Sequence, residues 1–225
     1  MAADRIAFSY RSDPLCVWAL VAQAKLDRIL ADLGAHLDVD YRIVPVFGSV
    51  PWRFEKGPWA KEGVGGRCSA TRRIAEQGGR TDVSGECWRT AAPASSWAPA
   101  TAIKAVFALE RDGAIAGGSG ARYQVALRER FFVHEANIAR RDVQLSVAEA
   151  LELPRAPIEA RLDDASALAA VCEDFAEKER LKIQGSPTYV FDGGRAMLYG
   201  NFGYGMLRST VEELVRGIVP GSSAC

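Results

Sequence analysis

The hydrophobic period of this chain changes twice, and that change restricts its fold more than any other feature. Residues 4–10 carry Ile6, Phe8 and Tyr10 at alternate positions, the spacing of a strand with one buried face. From Leu15 to Leu33 the apolar residues Trp18, Val21, Ala22, Leu26, Ile29, Leu30 and Leu33 recur at helical spacing, and Gly34 supplies a stop. Residues 38–47 return to strand character. A helix of that length carries the chain back to start a parallel strand, so this region predicts a β-α-β unit. Residues 48–65 read as a loop rich in Gly, Pro and Trp. Between about 66 and 183 the spacing is helical, with helices expected near 67–78, 95–111, 119–135, 143–151, 155–162 and 164–181. At Pro187 the period falls back to two. Thr188 to Asp192 predicts a strand, Gly193-Gly194 a hairpin turn, and Ala196 to Tyr199 its partner. Residues 203–217 predict a last amphipathic helix. The expected architecture is α/β: a four-stranded mixed sheet formed by residues 1–65 and 184–225, interrupted by an all-helical insertion over 66–183.

Charge and cysteine content narrow the function. Lys plus Arg and Asp plus Glu both number 28, so the chain lacks the basic excess of a nucleic-acid binder. Arg72-Arg73 and Arg140-Arg141 read as solvated helix faces. The first ten residues lack the basic and apolar regions of a signal peptide, and no run approaches the ~18 apolar residues of a membrane span. The expectation is a cytoplasmic protein with neither nucleic-acid nor membrane partners. Five cysteines, at 16, 68, 87, 172 and 225, show no zinc-site spacing, and His36 and His134 are the only histidines, so no metal site is expected. In a reducing compartment most of these cysteines are free thiols.

Two short segments carry the chemistry. Cys16 follows a strand and opens a helix, with Ser12 or Asp13 placed to cap that helix and Pro14 suited to its first turn. Helix N-termini present free N–H groups that stabilise a thiolate, which predicts a lowered Cys16 pKa and attack on disulfides or electrophiles. The competing reading is a buried structural cysteine. Gly185-Ser186-Pro187 then opens a strand in the manner of a cis-proline loop, whose backbone can pair with an extended substrate. Trp52, Phe54, Trp59 and Trp97 either line a substrate groove or fill the interface between sheet and insertion.

Taken together, Asp13-Pro14-Leu15-Cys16-Val17-Trp18-Ala19, the helical middle and Gln184-Gly-Ser-Pro187-Thr-Tyr-Val resemble the DsbA-like thioredoxin family, including its FrnE-type and kappa-class glutathione transferase relatives. Family members typically read Asp-Pro-x-Cys-Pro-Trp-Cys at the first segment. Here Val17 replaces the proline, and Ala19 stands where the second cysteine belongs. The resemblance implies Cys16 as nucleophile and Pro187 as cis-proline, with Pro14, Trp18, Ser186 and Asn201 contacting substrate or thiol. Asn201, in the turn Gly200-Asn201-Phe202-Gly203, is placed to cap the last helix. With no thiol at 19, the implied activity is a one-cysteine thiol-disulfide oxidoreductase with no permanently bound cofactor. Glutathione or a similar small thiol acts as cosubstrate, on a disulfide-containing protein or a small electrophile. Cys68 and Cys172 are alternative resolving thiols, although both read as buried helix residues. Two other functions fit the same residues. One is a kappa-type glutathione transferase or 2-hydroxychromene-2-carboxylate isomerase, relatives that usually carry Ser where Cys16 stands. The other is a non-catalytic binding or chaperone-like module.

Overall fold

In the computed structural model, which describes residues 5–217, β1 (Ile6–Ser12) pairs in parallel with β2 (Leu37–Ile43). β3 (Thr188–Phe191) lies antiparallel on the other side of β1, and β4 (Ala196–Tyr199) antiparallel to β3. The sheet order is therefore β2-β1-β3-β4, the expected mixed sheet. α1 (Val17–Leu33) makes the crossover between the parallel strands. The hairpin turn falls at Gly193 and Gly194, with φ of +66° and +109°, values that a side chain would oppose. Between β2 and β3 lie α2 (Val50–Glu55), α3 (Gly63–Gln77), α4 (Cys87–Thr90), α5 (Trp97–Arg111), α6 (Ser119–Phe132), α7 (Arg141–Ala150), α8 (Arg155–Asp163) and α9 (Ser166–Arg180); α10 (Tyr204–Val215) follows β4. No described residue between β2 and β3 is in a strand. Among the described residues no helix is long and apolar enough to cross a membrane. Cys225 and the first four residues lie outside the described residues.

The alternation in β1 builds one core. Phe8 and Tyr10 stand opposite Phe191 and Tyr189, with ring centroids 5.0 and 5.3 Å apart. Leu26 and Ile29 of α1 and Leu207 and Val211 of α10 complete this cluster. Burying each such side chain stabilises the fold by about 2 kcal/mol. The N-terminal half of α1, with Val17, Ala19 and Leu20, belongs instead to a larger core shared with the helical insertion. One helix thus serves both cores, and its first residues are fixed by the insertion.

The insertion is also tied to the sheet by charge. Asp174 of α9 is fully buried; it accepts the Ile43 N–H at 2.8 Å and pairs with Arg42 at 3.0 Å and Lys104 at 2.9 Å. One turn later, Glu177 pairs with Arg11 of β1 at 2.9 Å.

Several boundaries differ from the sequence reading. β1 continues through Arg11 and Ser12, which pair with Arg42 and Ile43, so the break comes at Asp13. β2 ends at Ile43 rather than near Phe47. Pro45 has no N–H, and the N–H groups of Val46 and Phe47 turn to the Asp13 carboxylate at 2.6 and 3.2 Å. The segment 48–65 is not a plain loop. Ser49 caps α2 by accepting the Trp52 N–H, and Pro51 sits in its first turn.

Candidate active site

Cys16 is the N-cap of α1. Its backbone is extended (φ −88°, ψ 112°), and its carbonyl accepts the Ala19 and Leu20 N–H groups that begin the helix. The turn before it is closed by the Cys16 N–H to the Asp13 carbonyl at 3.2 Å. Pro14 occupies the second position of that turn, which its fixed φ suits, and is buried there rather than lining a cleft. Neither Ser12 nor Asp13 caps α1, because the helix starts later than the sequence suggested. The Asp13 carboxylate is instead a joint. One oxygen accepts the Leu15 N–H (2.6 Å); the other accepts Val46 N–H, Phe47 N–H and the Ser96 hydroxyl (2.7 Å). It thereby fixes the Cys16 turn to the end of β2 and the start of α5. Burial pushes Asp13 up to about 6, against the pull of these four hydrogen bonds.

The second segment closes on the first. The Ser186–Pro187 peptide bond is cis. The Asp13 N–H donates to Ser186 Oγ at 2.8 Å, and the Cys16 thiol donates to the Ser186 carbonyl at 3.1 Å. Thr188 Oγ1 donates to the Gly185 carbonyl, and the Gly200 N–H to the Pro187 carbonyl, which anchors the loop to β4. A Cβ at Gly185 would lie 2.7 Å from the Tyr199 hydroxyl, so a side chain there would displace that exposed ring from the loop.

A cleft of about 260 Å³ opens at this junction. Cys16, Val17, Trp18 and Ser186 line it, together with Arg53, Arg67, Phe47, Trp59 and Tyr199. A second cleft adjoins it, bounded by Trp18, Ser186, Tyr199, Gly200 and Asn201. The structure thus brings Cys16, Trp18, Ser186 and Asn201 to one surface. Asn201 does not cap α10: the N-cap is Gly203, without a side-chain bond, and the Asn201 carbonyl oxygen accepts from Lys25 instead. Of the conspicuous aromatics, Trp59 lines the cleft, and Phe54 packs behind it against Trp59 and Trp88. Trp97 packs against Phe175 at a tilt, and Trp52 is exposed.

Cys16 is nearly covered, at 5% exposure. Burial pushes its thiol pKa up, the reverse of the lowered value expected from a helix start. Hydrogen bonding from Ser186 and from the Ala19 N–H opposes that rise, the Asp13 charge adds to it, and Arg128 draws it back down. Arg128 comes from α6 and is 1% exposed. Its Nη2 donates to Ser12 Oγ at 3.0 Å, while Nε and Nη1 have no hydrogen-bond partner among the described residues. Sequence reading missed Arg53, Arg67 and Arg128. No local signal marks Arg128, which reaches Cys16 only through the packing of α6 beneath α1. Of the other cysteines, Cys68 is buried in a helix as expected, whereas Cys172 departs from that expectation. Cys68 and Cys87 are buried; Cys172 is exposed on α9, off the stripe of Ala167, Val171 and Asp174 that this helix buries. Among the described residues no group of His, Cys, Asp and Glu is arranged to hold a metal ion.

Comparison with known proteins places this geometry. The DSBA-like thioredoxin domain matches residues 10–212. Among solved structures, a putative protein disulfide isomerase from Nitrosomonas europaea is similar over 96% of this chain and 100% of its own, with 14% identity and a TM-score of 0.77. The cytosolic disulfide reductase DsbM from Pseudomonas aeruginosa is 25% identical over 93% of this chain and 98% of its own, with a TM-score of 0.68. Its structure with GSH gives 23% identity, 94% and 96% coverage and a TM-score of 0.63. A 2-hydroxychromene-2-carboxylate isomerase is 19% identical, covering 96% of this chain and 100% of its own, with a TM-score of 0.67. No curated protein sequence matches the chain significantly. Since the domain match spans nearly the whole sequence, the chain belongs to the DSBA-like thioredoxin family.

Proposed function

We propose that the protein is a thiol-disulfide oxidoreductase working through Cys16 alone, with glutathione or a similar small thiol completing the cycle. The observation that carries this reading is the Cys16 thiol, 3.1 Å from the Ser186 carbonyl at the mouth of a cleft, with a buried alanine and no thiol at 19. An extended disulfide substrate donates an N–H to the Ser186 carbonyl and so takes the acceptor that the resting thiol occupies. The freed Cys16 loses its proton and attacks one sulfur of the disulfide. A Cys16–substrate disulfide forms, the substrate S–S bond breaks, and the leaving thiolate takes up a proton from solvent. A glutathione thiolate then attacks the substrate sulfur of the mixed disulfide, releasing Cys16 and a glutathione–substrate disulfide. A second turnover on that product converts two glutathiones to glutathione disulfide and completes the reduction. Such a cycle belongs in a reducing compartment, and the cytosol is the proposed location. The similarity to a cytosolic disulfide reductase also solved with GSH supports it.

The raised Cys16 pKa favours one second reading. A thiol that stays protonated is a hydrogen-bond donor, which can hold a bound glutathione thiolate without forming a covalent bond, as an isomerase-type site would require. Treatment with glutathione disulfide, followed by intact-mass analysis and peptide mapping, separates the two. One glutathione adduct on Cys16, absent in Cys16→Ser, is the expected result. An unmodified Cys16 in protein that isomerises a glutathione-dependent substrate would replace the first reading with the second.

A further inference from the structure

The cleft beside Cys16 holds two arginines that no acid among the described residues contacts, although the charge of buried Asp13 acts on Arg53. Arg53 and Arg67 form no ion pair among the described residues, and the buried Nε of Arg67 has no hydrogen-bond partner. Both guanidinium groups lie over the same two rings. Arg53 is 4.8 Å from the Phe47 centroid and 5.2 Å from that of Trp59; Arg67 is 4.4 Å from Trp59, 6.0 Å from Phe47 and 4.8 Å from Trp88. Stacking on aromatic faces holds a guanidinium in place but leaves its in-plane N–H fork free for a planar anion. Only one N–H of Arg53 is committed, to the Val46 carbonyl at 2.6 Å. The Asp13 carboxylate nearby already accepts four donors. Two like charges are thus drawn together on shared rings, and burial with the neighbouring Arg53 charge lowers Arg67 to about 10. That arrangement is unfavourable without a counter-ion and becomes favourable with one.

We infer that the substrate is a small disulfide bearing a carboxylate a few bonds from its sulfur, and that Arg53 and Arg67 bind the carboxylate while Cys16 attacks the sulfur. The inference rests on the nucleophilic role proposed above for Cys16. The cleft, at about 260 Å³, fits a group of amino-acid size rather than a folded segment. The step is the disulfide exchange already described, with the carboxylate unchanged.

Three symmetrical disulfides of similar length and different charge provide the test: 3,3′-dithiodipropionate, bis(2-hydroxyethyl) disulfide and cystamine. The rate of adduct formation on Cys16 is followed by intact mass in a Cys172→Ser, Cys225→Ser background, which removes the exposed thiol among the described residues and the terminal cysteine. The dicarboxylate should react about tenfold faster than the neutral disulfide, the scale of one charge-assisted contact, with the diamine slowest. Arg53→Gln and Arg67→Gln should each bring the dicarboxylate-to-neutral ratio toward one, and Arg67→Lys should restore part of it. Because Arg67 packs on three rings, Arg53→Gln carries the test if Arg67→Gln fails to fold. Equal rates for all three disulfides in the parent protein would overturn the inference while leaving the Cys16 chemistry intact. So would an arginine variant that slows all three in proportion, since the arginines would then act on the thiol alone. If Cys16 forms no adduct with any of them, the proposed chemistry fails and this inference fails with it.

Discussion

The junction of α9 with the sheet and the cleft beside Cys16 both gather charge in partly covered surroundings, and they treat it in opposite ways. At the junction, Asp174 is surrounded by Arg42, Lys104 and the Ile43 N–H, so its charge is met on every side. In the cleft, Arg53 and Arg67 share aromatic rings and form no ion pair among the described residues. A satisfied buried charge fixes two elements against each other. An unsatisfied pair is a standing cost that a ligand can remove. The difference supports the cleft, rather than the junction, as the proposed site without reference to any relative. Size does not make that separation. The groove along β2, lined by Tyr41, Lys104 and Phe107, is about 780 Å³, three times the cleft, and holds no cysteine.

Breaking the junction should produce the largest loss of stability. Asp174→Ala leaves Arg42 and Lys104 without their shared carboxylate and should cost about 3–5 kcal/mol in a denaturant titration. Arg53→Gln should stay within about 1 kcal/mol, because it gives up a stacking contact but also relieves repulsion. Similar losses in the two variants would erase the contrast between the regions. A smaller effect is expected from Asp13, the buried carboxylate between them. Its folded pKa of about 6 lies above the ordinary value of 3.8. Folding therefore favours the protonated form. The stability it contributes is fully present below pH 3.8 and is lost as pH rises through about 6. Asp13→Asn cannot ionise and forfeits the Leu15 bond, so wild type should be the more stable at pH 5. The gap should narrow by about 1 kcal/mol by pH 8. A gap that widens over that range would mean that the four hydrogen bonds, not burial, set the Asp13 pKa.

What the sequence made legible was whatever depends on neighbours a few residues apart. The alternation of Phe8 and Tyr10, the α1 stripe and the return to period two at Pro187 each mark an element that the structure contains. Cys172 reads as buried but is exposed, because it falls outside the stripe that α9 buries. The cap of α2 was readable in Ser49 and Pro51, but the glycines and tryptophans around it obscured the helix. Charge partners were not legible. Asp174 meets Ile43 across 131 residues, and Asp13 meets Ser96 across 83. Asn201 shows the same limit: its place before α10 suggested a cap, whereas Lys25, 176 residues away, holds its side chain. The cleft arginines come from α2 and α3, elements whose approach to Cys16 depends on the whole aromatic cluster beneath them.

Cys16 itself puts two physical effects in direct opposition, and its titration decides between them. Its place at the start of α1 calls for a lowered pKa, because the first N–H groups of a helix favour an anion. Its burial to 5% exposure and the nearby Asp13 charge call for a raised one. The thiol proton also has a use in the resting state, since it is donated to the Ser186 carbonyl. Removing it breaks that bond and leaves a thiolate facing a carbonyl oxygen, so the contact itself favours the neutral form. Burial wins on these terms. The rate of Cys16 alkylation by iodoacetamide, followed by peptide mapping, should still be climbing above pH 8.5, the ordinary midpoint of a free thiol. The Ser186 hydroxyl, which accepts the Asp13 N–H, also favours the Cys16 anion, so Ser186→Ala should move the midpoint up, by less than about one unit. A midpoint well below 8 in the free protein would show that the helix start outweighs burial. The cleft would then hold a third charge, a Cys16 thiolate within the field of Arg67, and the arginines would lose their claim to be unpaired.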